Sequence, residues 1–152
     1  MDKEIDLVCG DLGILDDIKD LWEELNLLHL EKSRDFKHYY KDFTFDSRKA
    51  ALVDYANRGE LFIVIAYHKS TKIGYCIASV VDRIGEIDSI YIRPDYRKDH
   101  VGKMLMDTSL QWINSCDVNK VIVKVSVGNE EVFGFYSKYG FVPRLTELQL
   151  KP

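Results

Sequence analysis

The stretch YIRPDYRKDHVGKMLM, Tyr91 to Met106, decides how the rest of the chain is read. A β-rich run stops at Pro94, a knot of charge follows, and an apolar helical pattern opens around Gly102. A strand, a tight loop and a helix start leave several backbone N–H groups aimed at one spot, and the helix dipole adds positive potential there. Gly102 keeps side chains out of the way of a bulky anion. Arg97, Lys98 and Lys103 supply charge, and Arg97 can grip phosphate oxygens in pairs. On residues alone the stretch reads either as a solvated surface loop or as an anion cradle.

Outward from this point the chain alternates strands and helices. ELFIVIAYH and KIGYCIASVV, separated by only a few turn residues, predict a hairpin, and GEIDSIYI a third strand of the same meander, stopped by Pro94. EIDLV near the start predicts an edge strand. Ile14, Ile18, Leu21, Trp22, Leu25 and Leu28 recur at helical spacing behind Asp11, a candidate N-cap. EKSRDFKHYYKDFTFDS has no clean period and is read as irregular; RKAALVDYANR predicts a second helix closed by Gly59. After the opening stretch, VGKMLMDTSLQWINSC predicts a helix and KVIVKVSV a strand. NEEVFGFYSKYGF predicts a compact helix with Asn129 as N-cap, Gly140 in a left-handed position and Phe141 folded back, and LTELQL predicts a final strand.

The chain has 152 residues, 46% hydrophobic and 30% charged, consistent with one domain over residues 1–152. A formal charge of −4 argues against a nucleic-acid footprint or a polybasic membrane surface. No apolar run approaches the ~20 residues of a membrane span, and the N-terminus carries no signal pattern. Cys9, Cys76 and Cys116 are widely spaced, which predicts reduced thiols in a cytoplasmic protein. The four scattered histidines predict no metal site.

Two motifs give the chain a family resemblance. YRKDHVGKMLM resembles the coenzyme A pyrophosphate loop of the GNAT acyltransferase superfamily, Arg/Gln-x-x-Gly-x-Gly/Ala, with Arg97 and Gly102 at its first and last positions. His100 stands where the first glycine is usual. NEEVFGFYSKYGF is similar to the family's N-x-x-A-x-x-(apolar)-Y-x-x-x-G-F signature, and KIGYCIA to its third strand. The resemblance runs over essentially the whole chain. It implies an α/β fold with a mixed, mostly antiparallel sheet of six to seven strands, splayed between the fourth and fifth, and about four flanking helices. It also implies transfer of an acetyl group from acetyl-coenzyme A to a primary amine, with no metal and with homodimers as a possible assembly.

The same resemblance assigns roles. Arg97, Lys98, Asp99, His100, Val101, Gly102 and Lys103 would surround the diphosphate, with Asp99 also able to cap the helix and compete. The main chain of Ile90, Tyr91 and Ile92 would hold the pantetheine arm, and the Ile90 N–H would polarise the thioester carbonyl. Asn129 would touch the same arm. Tyr136 matches the general acid. Glu86 matches a catalytic glutamate in some members, and Asp88, two residues along, would face the substrate. His29, Phe36 and Tyr39 lie where the acceptor usually binds, or simply pack over the sheet. A coenzyme-binding regulatory domain with little turnover remains the alternative.

Overall fold

Alternation of apolar residues along three consecutive segments builds the centre of the sheet in the computed structural model, which describes residues 3–152. Strands β2 (Glu60–His68), β3 (Thr71–Val81) and β4 (Ile84–Ile92) form an antiparallel meander, and β1 (Ile5–Gly10) adds antiparallel to β2. Strand β5 (Lys120–Val123) adds parallel to β4, giving the order β1-β2-β3-β4-β5.

One face of the sheet is covered by α1 (Lys19–Lys32) and α3 (Phe45–Arg58), which bury Leu21, Trp22, Phe45 and Leu52 against Ile63, Ile65, Tyr75 and Ile77. The other face is covered by α4 (Val101–Asn114) and α5 (Phe133–Ser137), with Val101, Leu105, Met106 and Ile113 packed on Val64, Ala66, Cys76 and Ile87. No helix among the described residues is long and apolar enough to cross a membrane.

Strand β4 changes phase halfway. Ile77 of β3 pairs with Ser89 while the next residue, Ala78, pairs with Ile87, so Asp88 is an extra residue, a β-bulge. The layers record the shift. Ile87 belongs to the α4 side, and regular alternation would put Tyr91 there too. Instead Tyr91 joins the α1 side, and Ile90 and Ile92 pack on the α4 side. Pairing with β5 covers only Ile84 to Ile87 and ends at the bulge. Beyond it the two strands part, as the resemblance implied.

Several expectations are corrected. The segment read as irregular contains a short helix, α2 (Lys37–Asp42), and the first turn of α3, whose Thr44 hydroxyl accepts from the Ser47 N–H at 3.1 Å. The first helix opens with a 3₁₀ segment, Leu12–Ile18, capped by Asp11 as expected. The strand expected over KVIVKVSV keeps its ladder only to Val123, because the bulge removes its neighbour. LTELQL forms no strand, and Leu148 and Leu150 are 91% and 94% exposed, so the sheet has five strands rather than six or seven. Asn129 makes no side-chain cap; its Oδ1 accepts from Lys32 Nζ at 3.1 Å. Gly140 does take a positive φ, +91°, and the Phe141 N–H returns to the Tyr136 carbonyl at 3.3 Å.

Candidate active site

Where β4 and β5 diverge, a cleft of about 390 Å³ opens between the strand ends, α1 and α5. Its floor is the β4 edge from Asp88 to Ile92, whose main chain has no strand partner on this side. Val123 to Ser126 form the facing edge. Leu25, Leu28 and His29 of α1 close one wall, and Phe135 and Tyr136 of α5 another.

At one end the cleft meets the start of α4. His100 precedes the helix in the left-handed region (φ +62°), and no side chain caps it. The first intrahelical bond runs from Met104 N–H to the His100 carbonyl at 3.1 Å, leaving the N–H groups of Val101, Gly102 and Lys103 without carbonyl partners among the described residues. Gly102 lines the cleft, and a Cβ there would lie 3.0 Å from the Phe135 ring. Glycine is therefore needed both for approach to the main chain and for the seating of α5. Arg97 also lines the cleft, its Nε donating to the Ile92 carbonyl at 3.0 Å and its guanidinium lying over the Tyr91 ring.

The other charges of the loop are placed differently. Lys103 pairs along its own helix with Asp107, and Lys98 is exposed without a hydrogen bond or ion pair among the described residues. Asp99, expected as a cap and competitor, instead pairs with Lys3 at 3.0 Å. The residues present thus fit a diphosphate: free amides, an arginine, and a neutralised acid.

Asp88 is the unusual group. Both carboxylate oxygens are buried and without hydrogen-bond partners among the described residues. Loss of hydration pushes its pKa up to about 7; the Ser79 hydroxyl beside it pulls the other way without bonding in normal geometry, Glu86 adds to the rise, and Arg48 and Lys124 oppose it. Burial also raises the Tyr136 phenol, so it stays protonated. Burial, with Lys32 beside it, lowers His29 and favours its neutral ring.

A model of the acetyltransferase (GNAT) family matches residues 19–141, most of the chain. The chain belongs to this family.

Sequence similarity to curated GNAT proteins is partial. A Bacillus subtilis (strain 168) protein, provisionally assigned as a ribosomal protein bS18-alanine N-acetyltransferase, is 30% identical over 70 residues, 46% of each chain. The chain spans about half the length of the curated relatives it matches. Structural similarity is broader. A GCN5-related N-acetyltransferase from Ralstonia eutropha JMP134 superposes with a TM-score of 0.77 at 14% identity, covering 97% of this chain and 98% of that one. A PaiA N-acetyltransferase from Thermoplasma acidophilum, solved with coenzyme A, gives 0.74 at 17% identity, covering 95% and 93%. At these identities the likeness is one of fold.

Of the residues singled out in the sequence, the GNAT cleft gathers Asp88, Ile90, Tyr91, Ile92, Arg97, Gly102, Asn129, Tyr136 and His29. Glu86 does not line it; its carboxylate lies 3.7 Å from Lys124. Phe36 and Tyr39 also stand outside, beside His38 and between Tyr40 and Phe43. Lys32, Lys124, Ser126 and Glu131 were missed. Only Lys124 left a trace in the sequence, as a charge interrupting the apolar run VIVKV.

Proposed function

We propose that the protein is an N-acetyltransferase that moves the acetyl group of acetyl-coenzyme A to a primary amine by direct attack, residues 1–152 acting as one domain. The observation that carries this reading is Asp88, a residue of the cleft that also holds Tyr136 and the open edge of β4, whose carboxylate is buried beneath the surface and has no partner among the described residues. The coenzyme in the Thermoplasma relative supports the choice of donor.

Each residue then has a task. The amides of Val101, Gly102 and Lys103, with Arg97, bind the diphosphate. The main chain of Ile90, Tyr91 and Ile92 pairs with the pantetheine arm as an added strand would. The Ile90 N–H faces the thioester oxygen, where negative charge grows during attack.

Asp88 takes the role first assigned to Glu86. A carboxylate that titrates near neutrality can accept a proton from an ammonium group at working pH, where an ordinary one would be too weak a base. The freed nitrogen attacks the carbonyl carbon, the C–S bond breaks, and Tyr136 gives its proton to the leaving sulfur. The acylated nitrogen sheds its second hydrogen as a proton, which restores the Tyr136 phenol through solvent, and Asp88 releases its own proton to solvent.

The test has two parts. Calorimetry with coenzyme A must show binding, and thiol release from acetyl-coenzyme A must depend on an added amine. Absence of binding at millimolar ligand overturns the reading. Binding without thiol release across an amine panel would instead favour a regulatory coenzyme-binding domain, the reading to which the departure at His100 points.

A further inference from the structure

The charges around the cleft limit what the acceptor can be. Three cations line it, Arg97, Lys32 and Lys124, against two carboxylates, Asp88 and Glu131. Glu131 is taken by Lys32. Just outside, Glu130 is held by Arg34 at 3.2 Å, and Glu86 faces Lys124 at 3.7 Å. Among the described residues, Asp88 is the one carboxylate in the cleft free of an ion pair.

The cleft therefore has one uncommitted carboxylate, shielded just beneath its surface, to balance a single ammonium group. A polyamine or an aminoglycoside would have to lodge its remaining positive charges near Lys32 and Lys124, with no free carboxylate to offset them.

The opposite wall offers something else. Strand β5 loses β4 after Val123, yet Lys124, Val125 and Ser126 continue along the cleft with no ladder to β4 among the described residues, the Ser126 carbonyl alone being turned to the Asn129 N–H at 3.0 Å. This edge is steadied from behind, since the Ser126 hydroxyl bonds the Tyr40 hydroxyl at 2.5 Å and Gly128 packs on the Lys32 carbonyl. If the pantetheine arm uses the β4 edge, the β5 edge is left for the acceptor. Such an edge recognises a ligand that carries regularly spaced N–H and C=O groups of its own.

We infer that the acceptor is the terminal α-amine of an extended peptide, whose first residues pair with the Lys124–Ser126 edge while its nitrogen reaches Asp88. This rests on the acetyl-transfer reading above. Proton chemistry agrees: an α-amine titrates at ~7.7–8.0, far closer to the Asp88 range than a lysine side chain at ~10.4. Less free energy is needed to deprotonate it.

The experiment uses conjugates in which coenzyme A is joined through an acetyl link either to the N-terminus of a lysine-free tetrapeptide or to spermidine. Binding of each, and of coenzyme A alone, is measured calorimetrically on the whole chain. The peptide conjugate should bind at least ten-fold tighter than coenzyme A, and the spermidine conjugate should not. Replacing the amide between peptide residues two and three with an ester should weaken binding by about five-fold, the loss of one hydrogen bond. Equal binding of the peptide conjugate and coenzyme A, a tighter spermidine conjugate, or indifference to the ester each overturns the inference. Failure of coenzyme A itself to bind overturns the acetyltransferase reading instead. Competition assays with free peptide, blocked peptide bearing an internal lysine, spermidine and alanine should rank the free peptide first, and any other order counts against it.

Discussion

Lys3 Nζ stands 3.0 Å from Asp99 Oδ2 and 4.4 Å from the centre of the Tyr96 ring, so a residue ahead of the first strand holds the loop that leads into α4. The pair neutralises Asp99, the acid nearest the start of α4 in a loop proposed to bind diphosphate. Lys3→Ala should weaken coenzyme A binding two- to five-fold at low salt, the scale of a partly exposed ion pair at ~0.2–1 kcal/mol. Adding Asp99→Asn should restore affinity. Calorimetry on the single and double variants decides it, and a Lys3→Ala defect that Asp99→Asn leaves untouched would count against neutralisation.

Asp88 makes two pH-dependent demands of opposite sense. As a base it works when ionised, so the rate should climb with pH through about 7 and then level off. Asp88→Asn should abolish that climb and lower turnover by ~10²–10⁴. Folding responds the other way. Between the ordinary carboxyl value of 3.8 and about 7 the native state keeps a proton that the unfolded chain has lost, so stability falls as pH rises through this window. The gain in melting temperature from Asp88→Asn should therefore be larger at pH 8 than at pH 5. Equal gains would mean that the carboxyl is not held protonated.

Tyr136 is buried and its phenol is raised by that burial, so it carries a proton across the working range. Tyr136→Phe keeps the ring that packs on Phe135 and Phe141. It should lower kcat by ~10²-fold or more while leaving coenzyme A affinity within two-fold. Stopped turnover assays beside calorimetry separate these effects. An unchanged kcat would remove Tyr136 as the acid.

His100 holds a φ of +62°, where side chains other than glycine are strained by about 1–2 kcal/mol. Part of that cost is offset because histidine restricts the unfolded chain more than glycine does. His100→Gly should thus stabilise by about 0.5–1 kcal/mol, with coenzyme A affinity equal or tighter. His100→Ala, which keeps the strain, should not. Denaturant melts of both variants test this.

Richness in β-branched and aromatic residues located the strands of the meander, because β2 and β3 are packed between layers on both faces. It could not locate the bulge. GEIDSIYI reads the same whether Asp88 is paired or extra, and only the register against Ile77 and Ala78 reveals it. Glu86 rests in the sequence on its match to a glutamate of some family members, and only the register separates it from Asp88. Lys32 and Glu131 enter the cleft from elements a hundred positions apart, a juxtaposition no local pattern encodes. LTELQL has a strand's composition, but composition supplies no partner, and in this chain the segment finds none. The loop proposed to bind diphosphate was the most legible part, since its glycine, its arginine and the helix start lie close together in the sequence.

The insertion at position 88 ties architecture to reactivity in a single place. Excising that residue would restore unbroken pairing with β3, keep Ile90 and Ile92 in their present layer and let β4 run on against β5, so the groove would close while the core stood. Exchanging its side chain would leave the groove standing and merely disarm it. Length at this point thus decides whether the strands part at all, and identity decides only what stands where they do.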